Sequence, residues 1–565
     1  MQALRGDLAS LGVVYTPAEV TGPMARMALE PLVRDRSVDE LLALRICDPA
    51  LGAGALLGAA IDVLVEHLVR AGLAAGEARE RAAACVYGVE LEPAAVAAAR
   101  AATGAGPDAL QVGDALAIDW AARFPAVAER GGFDVVLGNP PYIRQEHLAA
   151  HKPRLRGFAS YDGVADLYVY FVELAHRLAR PGGRFCLITP NKWLTAAYGR
   201  ALRSHLAAQG SVEGVIDLGR SELFAGADAF PCIVWGTVGG ARERSIRAAR
   251  LPAGAGVTLD GVGALHARER WGAEPWHIDP PAERALLDRL AARWPPLGEV
   301  IAARPARGVV TGCNRAFVLD RAARDRLLAA EPAAAALVRP FIRGRDVRSW
   351  AVADVERWIL LIDRGTSLAE LPAVQAHLAR FRAALEPRPA AFEGTWRGRK
   401  PGRYQWYELQ DPVGPLVAGR GPRLLYQDIQ TQPACALDLD GELVPDTTVW
   451  LLPTSELYVL AVLNSPLYGW YARRRFPPAL NGAVRPKLAY LRAMPLARPD
   501  PGLRVAIEQL AAQRLALAAQ RSPGGRSETR PSRPDPHPID RARADAVADA
   551  YELSAADRAL VAARG

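Results

Sequence analysis

The chain has 565 residues, half of them apolar, with 69 Arg and Lys against 61 Asp and Glu and a formal net charge of +8. That length and apolar share suit roughly two to four domains with substantial cores. The nine histidines contain no H-E-x-x-H pair and the six cysteines (47, 85, 186, 232, 313, 435) no C-x-x-C spacing, so neither a metal centre nor a disulfide framework is expected. No apolar run is long enough to span a membrane, and the first residues lack the basic start and apolar core of a secretory signal, so a cytoplasmic protein is expected.

In chain order, Tyr15 is followed by Thr16-Pro17-Ala18-Glu19, which has the form of a capping box with Pro at the first helical position. A helix amino terminus also attracts carboxylates, so Thr16 is read both as a cap and as a ligand for the carboxylate of an amino-acid cofactor. Next come a strand, Arg45-Ile46-Cys47-Asp48-Pro49, a glycine turn through Gly52 and Gly54, and an Ala- and Leu-rich helix from Ala55. The turn is neither G-x-G-x-x-G nor a P-loop, so a nucleoside without phosphates fits it better than a dinucleotide.

A second apolar run, Cys85-Val86-Tyr87-Gly88-Val89, ends in Glu90, where nucleotide-binding α/β sheets place the acceptor for the ribose hydroxyls. A third, Gln111-Val112-Gly113, ends in Asp114, an acceptor for the cofactor's adenine amino group. Taken singly, either carboxylate also reads as a helix cap or a surface charge.

The fourth run, Phe133-Asp134-Val135-Val136-Leu137-Gly138, leads into Asn139-Pro140-Pro141-Tyr142. Proline fixes the torsions after Asn139, so that the Asn carboxamide oxygen and the Pro140 carbonyl can converge on an amine with two hydrogens. Accepting both hydrogen bonds draws the nitrogen lone pair out of conjugation with its ring. Tyr142 then offers a face on which a flipped-out base can stack. The bland alternative is a Pro-rich turn with Tyr142 packed in the core.

The order of these segments resembles the gamma-class adenine-N6 DNA methyltransferases of restriction–modification and phage-defence systems, which use S-adenosyl-L-methionine. The resemblance implies an α/β, Rossmann-like methyltransferase sheet, followed by a mixed α/β target-recognition domain and a helical tail. It places Tyr15, Thr16, Asp48, Pro49, Gly52 and Gly54 around the methionine moiety, Glu90 on the ribose and Asp114 on the cofactor adenine. It extends through Asp166-Leu167-Tyr168, with Phe171 against the cofactor base, to Pro190-Asn191-Lys192-Trp193-Leu194, where Trp193 or Tyr198 would sandwich the flipped adenine opposite Tyr142. Such chemistry needs positioning and desolvation rather than a general base or a metal.

Residues 301–500 hold 28 Arg and Lys against 19 Asp and Glu, while the rest of the chain holds 41 against 42, so the basic excess lies wholly in that segment. This is the footprint of a nucleic-acid surface. Its densest clusters contain Arg343, Arg345 and Arg348; Arg397, Arg399 and Lys400; and Arg473 and Arg474. Duplex DNA is the expected partner, and a solvated Arg-rich surface is the alternative for any one cluster.

The expected domains are 1–245 catalytic, 246–295 linker, 296–500 target recognition, and 501–565 a flexible tether at 521–538 with C-terminal helices over 539–563. Some members of the resembled family carry a nuclease ahead of the methyltransferase. None is expected here, because the cofactor segment begins near residue 15 and none of the four lysines has a Glu two residues before it. A separate nuclease or other defence-system subunits would then supply cleavage. RNA or protein-glutamine methylation, and a non-catalytic DNA-specificity subunit, are the rival readings.

Overall fold

Strand β1 (Ile46–Asp48) is buried at every residue and pairs in parallel on both sides, with β2 (Val86–Glu90) and with β4 (Phe133–Gly138). Continuous apolar runs of this kind mark central strands covered on both faces. The computed structural model describes residues 16–149, 151–209, 211–219, 230–240, 245–251, 264–267, 270–301, 305–479, 482–520 and 537–563. They form two units divided after Pro281. Tyr15 and residues 521–536, most of the expected tether, lie outside the described residues.

In the first unit, α1 (Ala18–Val33), α2 (Ala55–Arg70), α3 (Pro93–Thr103) and α4 (Tyr168–Leu178) cover a sheet whose described strands follow the order β3-β2-β1-β4-β5-β7-β6-β8-β9. The strands not yet given are β3 (Leu110–Val112), β5 (Ala179–Pro190), β6 (Val212–Asp217), β7 (Pro231–Thr237), β8 (Ser245–Arg250) and β9 (Ala264–Ala267). β7 runs antiparallel between β5 and β6, which distinguishes the sheet from the all-parallel dinucleotide fold. Helix α2 buries Leu56, Leu57, Ala60, Ile61, Leu64 and Leu68, a stripe at helical spacing that packs on one face of the sheet. Aromatic residues of α4 fill the other core.

The expected linker is a correction. Residues 246–295 include most of β8, all of β9 and the segment of Trp271 and Trp276, whose rings meet at 5.0 Å within the core of the first unit. Alternating residues Ile246 and Ala248 face that core, a period-2 signal that the Arg-rich composition obscured. The first unit therefore runs some 35 residues past the expected boundary, to 281 rather than 245.

The second unit begins in α5 (Pro281–Arg293) and its described residues contain two four-stranded sheets and the strand pair β13 (Val347–Arg348) and β14 (Ala351–Val352). One sheet joins β10 (Ala306–Arg307), β19 (Val449–Leu452), β16 (Arg423–Gln427) and β17 (Cys435–Asp438); the other joins β11 (Val318–Asp320), β15 (Arg357–Leu360), β12 (Val338–Ile342) and β18 (Val444–Pro445). The apolar run 457–463 is a helix, α6 (Leu457–Leu463), followed by α7 (Pro466–Arg475). Residues 501–520 form α8 (Pro501–Gln520), which packs with α9 (Pro538–Ala550) and α6 around Ile507, Ala511 and Val547. This α/β arrangement, a large mixed sheet followed by a second mixed unit, is the expected fold class.

Candidate active site

The parallel register Ile46↔Val86 and Ile46↔Val135 brings the ends of β1, β2 and β4 to one edge of the sheet, on either side of the point where strand order reverses. Clefts of open α/β sheets form there. Asp48, Glu90 and Asn139 stand on that edge, with Asp114 just beyond β3.

Asn139 is held by a contact across 123 residues of sequence: its Nδ2 donates to Thr16 Oγ1 at 2.8 Å. With the amino group turned to Thr16, the carboxamide oxygen faces the other way. Thr16 does not cap its helix. Pro17 occupies the N-cap position of α1, without a side-chain cap, and the buried Thr16 hydroxyl serves Asn139 instead. Pro17 has no side-chain acceptor and extended torsions, so the capping-box pattern was a false likeness here.

Asp48 is almost wholly buried and accepts from the Ala50 backbone N–H at 2.9 Å. Burial, with the charge of Glu90 nearby, pushes its carboxyl up to about 7. Glu90 accepts from the backbone N–H groups of Gly52 at 2.9 Å, Leu91 at 2.8 Å and Glu92 at 3.2 Å, which fixes the carboxylate across the glycine turn. Gly54 serves helix packing rather than ligand approach: φ is 83°, and an added Cβ would meet Ala99 Cβ of α3 at 3.0 Å. Pro49 is buried in the same turn. Asp114 accepts from Leu116 N–H and forms a 2.9 Å ion pair with Arg154, a residue absent from the sequence reading.

Tyr142 is half-buried, and its hydroxyl is enclosed without a hydrogen-bond partner among the described residues; burial raises its pKa. Its ring meets Tyr168 edge-on at 6.3 Å, and Tyr168 shares a 2.7 Å hydroxyl contact with Tyr198. Tyr168 stood in the sequence reading only as part of a motif, although an aromatic at the first turn of a helix following the Tyr142 loop was a usable signal. The Ile143 carbonyl accepts from Leu167 N–H and Asp166 from Gln145 N–H, both at 3.0 Å, so the loop after Tyr142 is tied to the start of α4. Phe171 is buried within α4.

Trp193 is a correction. It is fully buried, donates its indole N–H to Thr189 and is covered by Trp276 at 5.3 Å, so neither face is open to a base. Of the two aromatic candidates, Tyr198 is the one in the Tyr142 cluster.

The basic residues divide sharply. Arg345, Arg348, Arg397, Lys400 and Arg473 are exposed and Arg343 is half-buried. Arg399 and Arg474 are spent inside the second unit, which removes both from the expected DNA surface. Arg399, 3% exposed, donates to the carbonyls of Leu385, Thr311, Glu408, Gln405 and Trp406. Arg474 pairs with Glu283 and stacks on Trp470 at 4.5 Å.

The donor set suits S-adenosylmethionine. Three carboxylates at neighbouring strand ends match a cation and groups rich in N–H and O–H, and Gly52 N–H is already committed to Glu90 instead of forming a phosphate nest. The buried Asp48 carboxylate is the strongest element of this match, since a cation beside it offsets the cost of ionising it.

The fold and the polar groups at its strand edge are of the kind found in S-adenosylmethionine-dependent methyltransferases, and the comparisons point to those of restriction–modification systems. Residues 107–224 match the Eco57I restriction-modification methylase family. The chain is similar to the Type II methyltransferase M.PaeR7I of Pseudomonas aeruginosa, at 27% identity over 92% of each chain. It is also similar to the Type II methyltransferase M.BstVI of Geobacillus stearothermophilus, at 24% identity over 87% of this chain and 90% of that one. A solved structure of the Type IIL restriction-modification enzyme MmeI in complex with DNA has the same fold, with a TM-score of 0.63 and 15% identity, over 99% of this chain and 75% of that one. The resemblance expected from the motif order is borne out at the level of restriction–modification methyltransferases.

Two predictions follow from the two kinds of buried charge. The folded protein binds the Asp48 proton more tightly than the unfolded chain does, so ionising Asp48 lowers stability as pH rises from about 4 through about 7, by on the order of 4 kcal/mol. Asp48→Asn should therefore raise the melting temperature at pH 8 and leave it nearly unchanged at pH 4, while weakening S-adenosylmethionine binding in calorimetry at pH 8. Arg399→Ala, which strands five carbonyls, should destabilise the second unit by about 3 kcal/mol or more in urea unfolding, whereas Arg397→Ala should stay within about 0.5 kcal/mol of the parent.

Proposed function

We propose that the protein transfers a methyl group from S-adenosyl-L-methionine to the N6 amino group of a flipped-out adenine in duplex DNA, as the cytoplasmic modification enzyme of a restriction–modification or phage-defence system. The observation that carries this reading is the Thr16–Asn139 hydrogen bond, which presents the Asn139 carboxamide at the strand edge beside Asp48 and Glu90.

When bound, the cofactor supplies an electrophilic methyl group. The protein's own residues do the rest. Asn139 Oδ1 and the Pro140 carbonyl accept the two hydrogens of the amine and hold its nitrogen for in-line attack. Tyr142 and Tyr198 flank the base, with Tyr168 fixing the Tyr198 hydroxyl. Asp48 and Thr16 line the methionine end and Glu90 the ribose. Asp114 takes the cofactor's amino group once Arg154 gives way. Aligning the reactants and excluding water account for most of the acceleration.

The second unit supports a nucleic acid over protein-glutamine as substrate, since it carries the basic excess and still exposes Arg345, Arg348, Arg397, Lys400 and Arg473 after Arg399 and Arg474 are discounted, and the relatives' restriction–modification type favours DNA over RNA. It is the proposed target-recognition unit, and any cleavage activity is assigned to a separate nuclease.

The test is transfer of labelled methyl groups from S-adenosylmethionine to duplex DNA, ribosomal RNA and protein, followed by nucleoside analysis. N6-methyladenine in DNA is the expected product, and label in RNA or protein alone would overturn the substrate. Asn139→Ala should lower kcat by about 100-fold or more with cofactor affinity largely kept; a near-normal rate would remove Asn139 from the mechanism. Glu90→Ala should weaken cofactor binding at least about tenfold, measured by calorimetry, in keeping with loss of a charge-assisted hydrogen bond.

A further inference from the structure

We propose that the loop 387–399 of the second unit is a wedge that inserts Phe392 into the stack of the bound duplex; this rests on the DNA reading above. The loop has a closed neck. Arg388 N–H donates to the Arg399 carbonyl and Arg399 N–H to the Glu386 carbonyl, both at 3.0 Å, and Pro387 and Arg399 form a bridge. Gly398 lets the two sides meet, since a Cβ there would lie 2.2 Å from the Glu386 carbonyl oxygen. The five carbonyl contacts of the Arg399 guanidinium pin the neck to the body of the unit. A loop fixed this firmly at its base presents its tip with little ordering cost on binding.

At the tip, Phe392 is 39% exposed, the one aromatic among the nine large apolar side chains exposed in the described residues. It leans edge-on against Trp396 at 5.0 Å, and Trp396 is in turn anchored by its indole N–H to the Glu386 carbonyl at 3.0 Å. An apolar tip braced from behind would be a liability in a protein with no partner for it.

The surrounding charge names the partner. Arg388, Arg397, Lys400 and Arg403 are all exposed around the loop, against Glu393 as the one exposed acid between 387 and 403. An apolar side chain ringed by cations matches a base stack flanked by phosphates, the arrangement by which inserted Phe, Leu or Met side chains kink DNA. The side chain acts on the duplex alone: no group is transferred, and the cofactor cleft of the first unit is not involved.

The test uses the full-length chain and a duplex carrying the sequence methylated in the transfer assay, labelled with a dye at each end. The wild-type protein should shorten the end-to-end distance. Phe392→Ala should lose that bend and bind the duplex about five- to a hundredfold more weakly, with its melting temperature and S-adenosylmethionine affinity unchanged. Phe392→Leu, still an apolar wedge, should keep the bend. Arg397→Gln should reduce the slope of log K against log salt by about one and also keep the bend. A wild-type complex without a bend, or a Phe392→Ala variant with the parent's affinity and bend, overturns the wedge while leaving the methyltransferase reading intact. Label confined to RNA or protein in the transfer assay overturns both.

Discussion

Everything at the candidate active site depends on parallel pairing at the centre of the first sheet. Because β1 lies between β2 and β4 in register, three chain segments that are far apart in sequence must finish at the same height and on the same side. Parallel strands connected by helices can do this, whereas hairpins would send alternate ends to opposite edges. The polar groups of the cleft are thus set by rigid backbone, with the Thr16–Asn139 hydrogen bond closing the arrangement from the helix side. That bond also assigns the two ends of an otherwise ambiguous carboxamide.

The first unit was the more legible in sequence because its signals are local. A buried strand ending at a glycine or a carboxylate, followed by a turn and an Ala-rich helix, declares both its structure and its polar end within about a dozen residues. Asp48, Glu90, Asp114 and Asn139 were placed in that way. What stayed hidden needed knowledge of partners distant in the chain. Thr16 read as a helix cap and as a carboxylate ligand, both local roles, and only the fold brings Asn139 to it. Trp193 and Tyr198 were equivalent in sequence, and were separated by Trp276, which packs over Trp193 from a segment that composition had marked as linker.

The basic residues teach a related lesson. Arg397, Arg399 and Lys400 form one cluster in the sequence, yet the middle guanidinium is buried among carbonyls while its neighbours face solvent. A guanidinium has five donors in a fixed fork, so an Arg beside a tight loop is as well suited to satisfying backbone carbonyls as to meeting a phosphate. Net charge locates a binding face at the scale of a domain. At the scale of a residue, the count of carbonyls within reach decides which cations remain available.

The Arg154–Asp114 ion pair has a consequence for the order of events. Arg154 lies on the stretch of chain between Tyr142 and α4, so Asp114 beyond β3 is paired to the same segment that carries the loop after Tyr142. In the proposed reading, a ligand that takes Asp114 competes with Arg154 and so loosens one tie on that segment. Linked equilibria are reciprocal. In the proposed reading, donor site and base site are therefore joined by one short stretch of chain, so that seating one reactant would bear on the seating of the other.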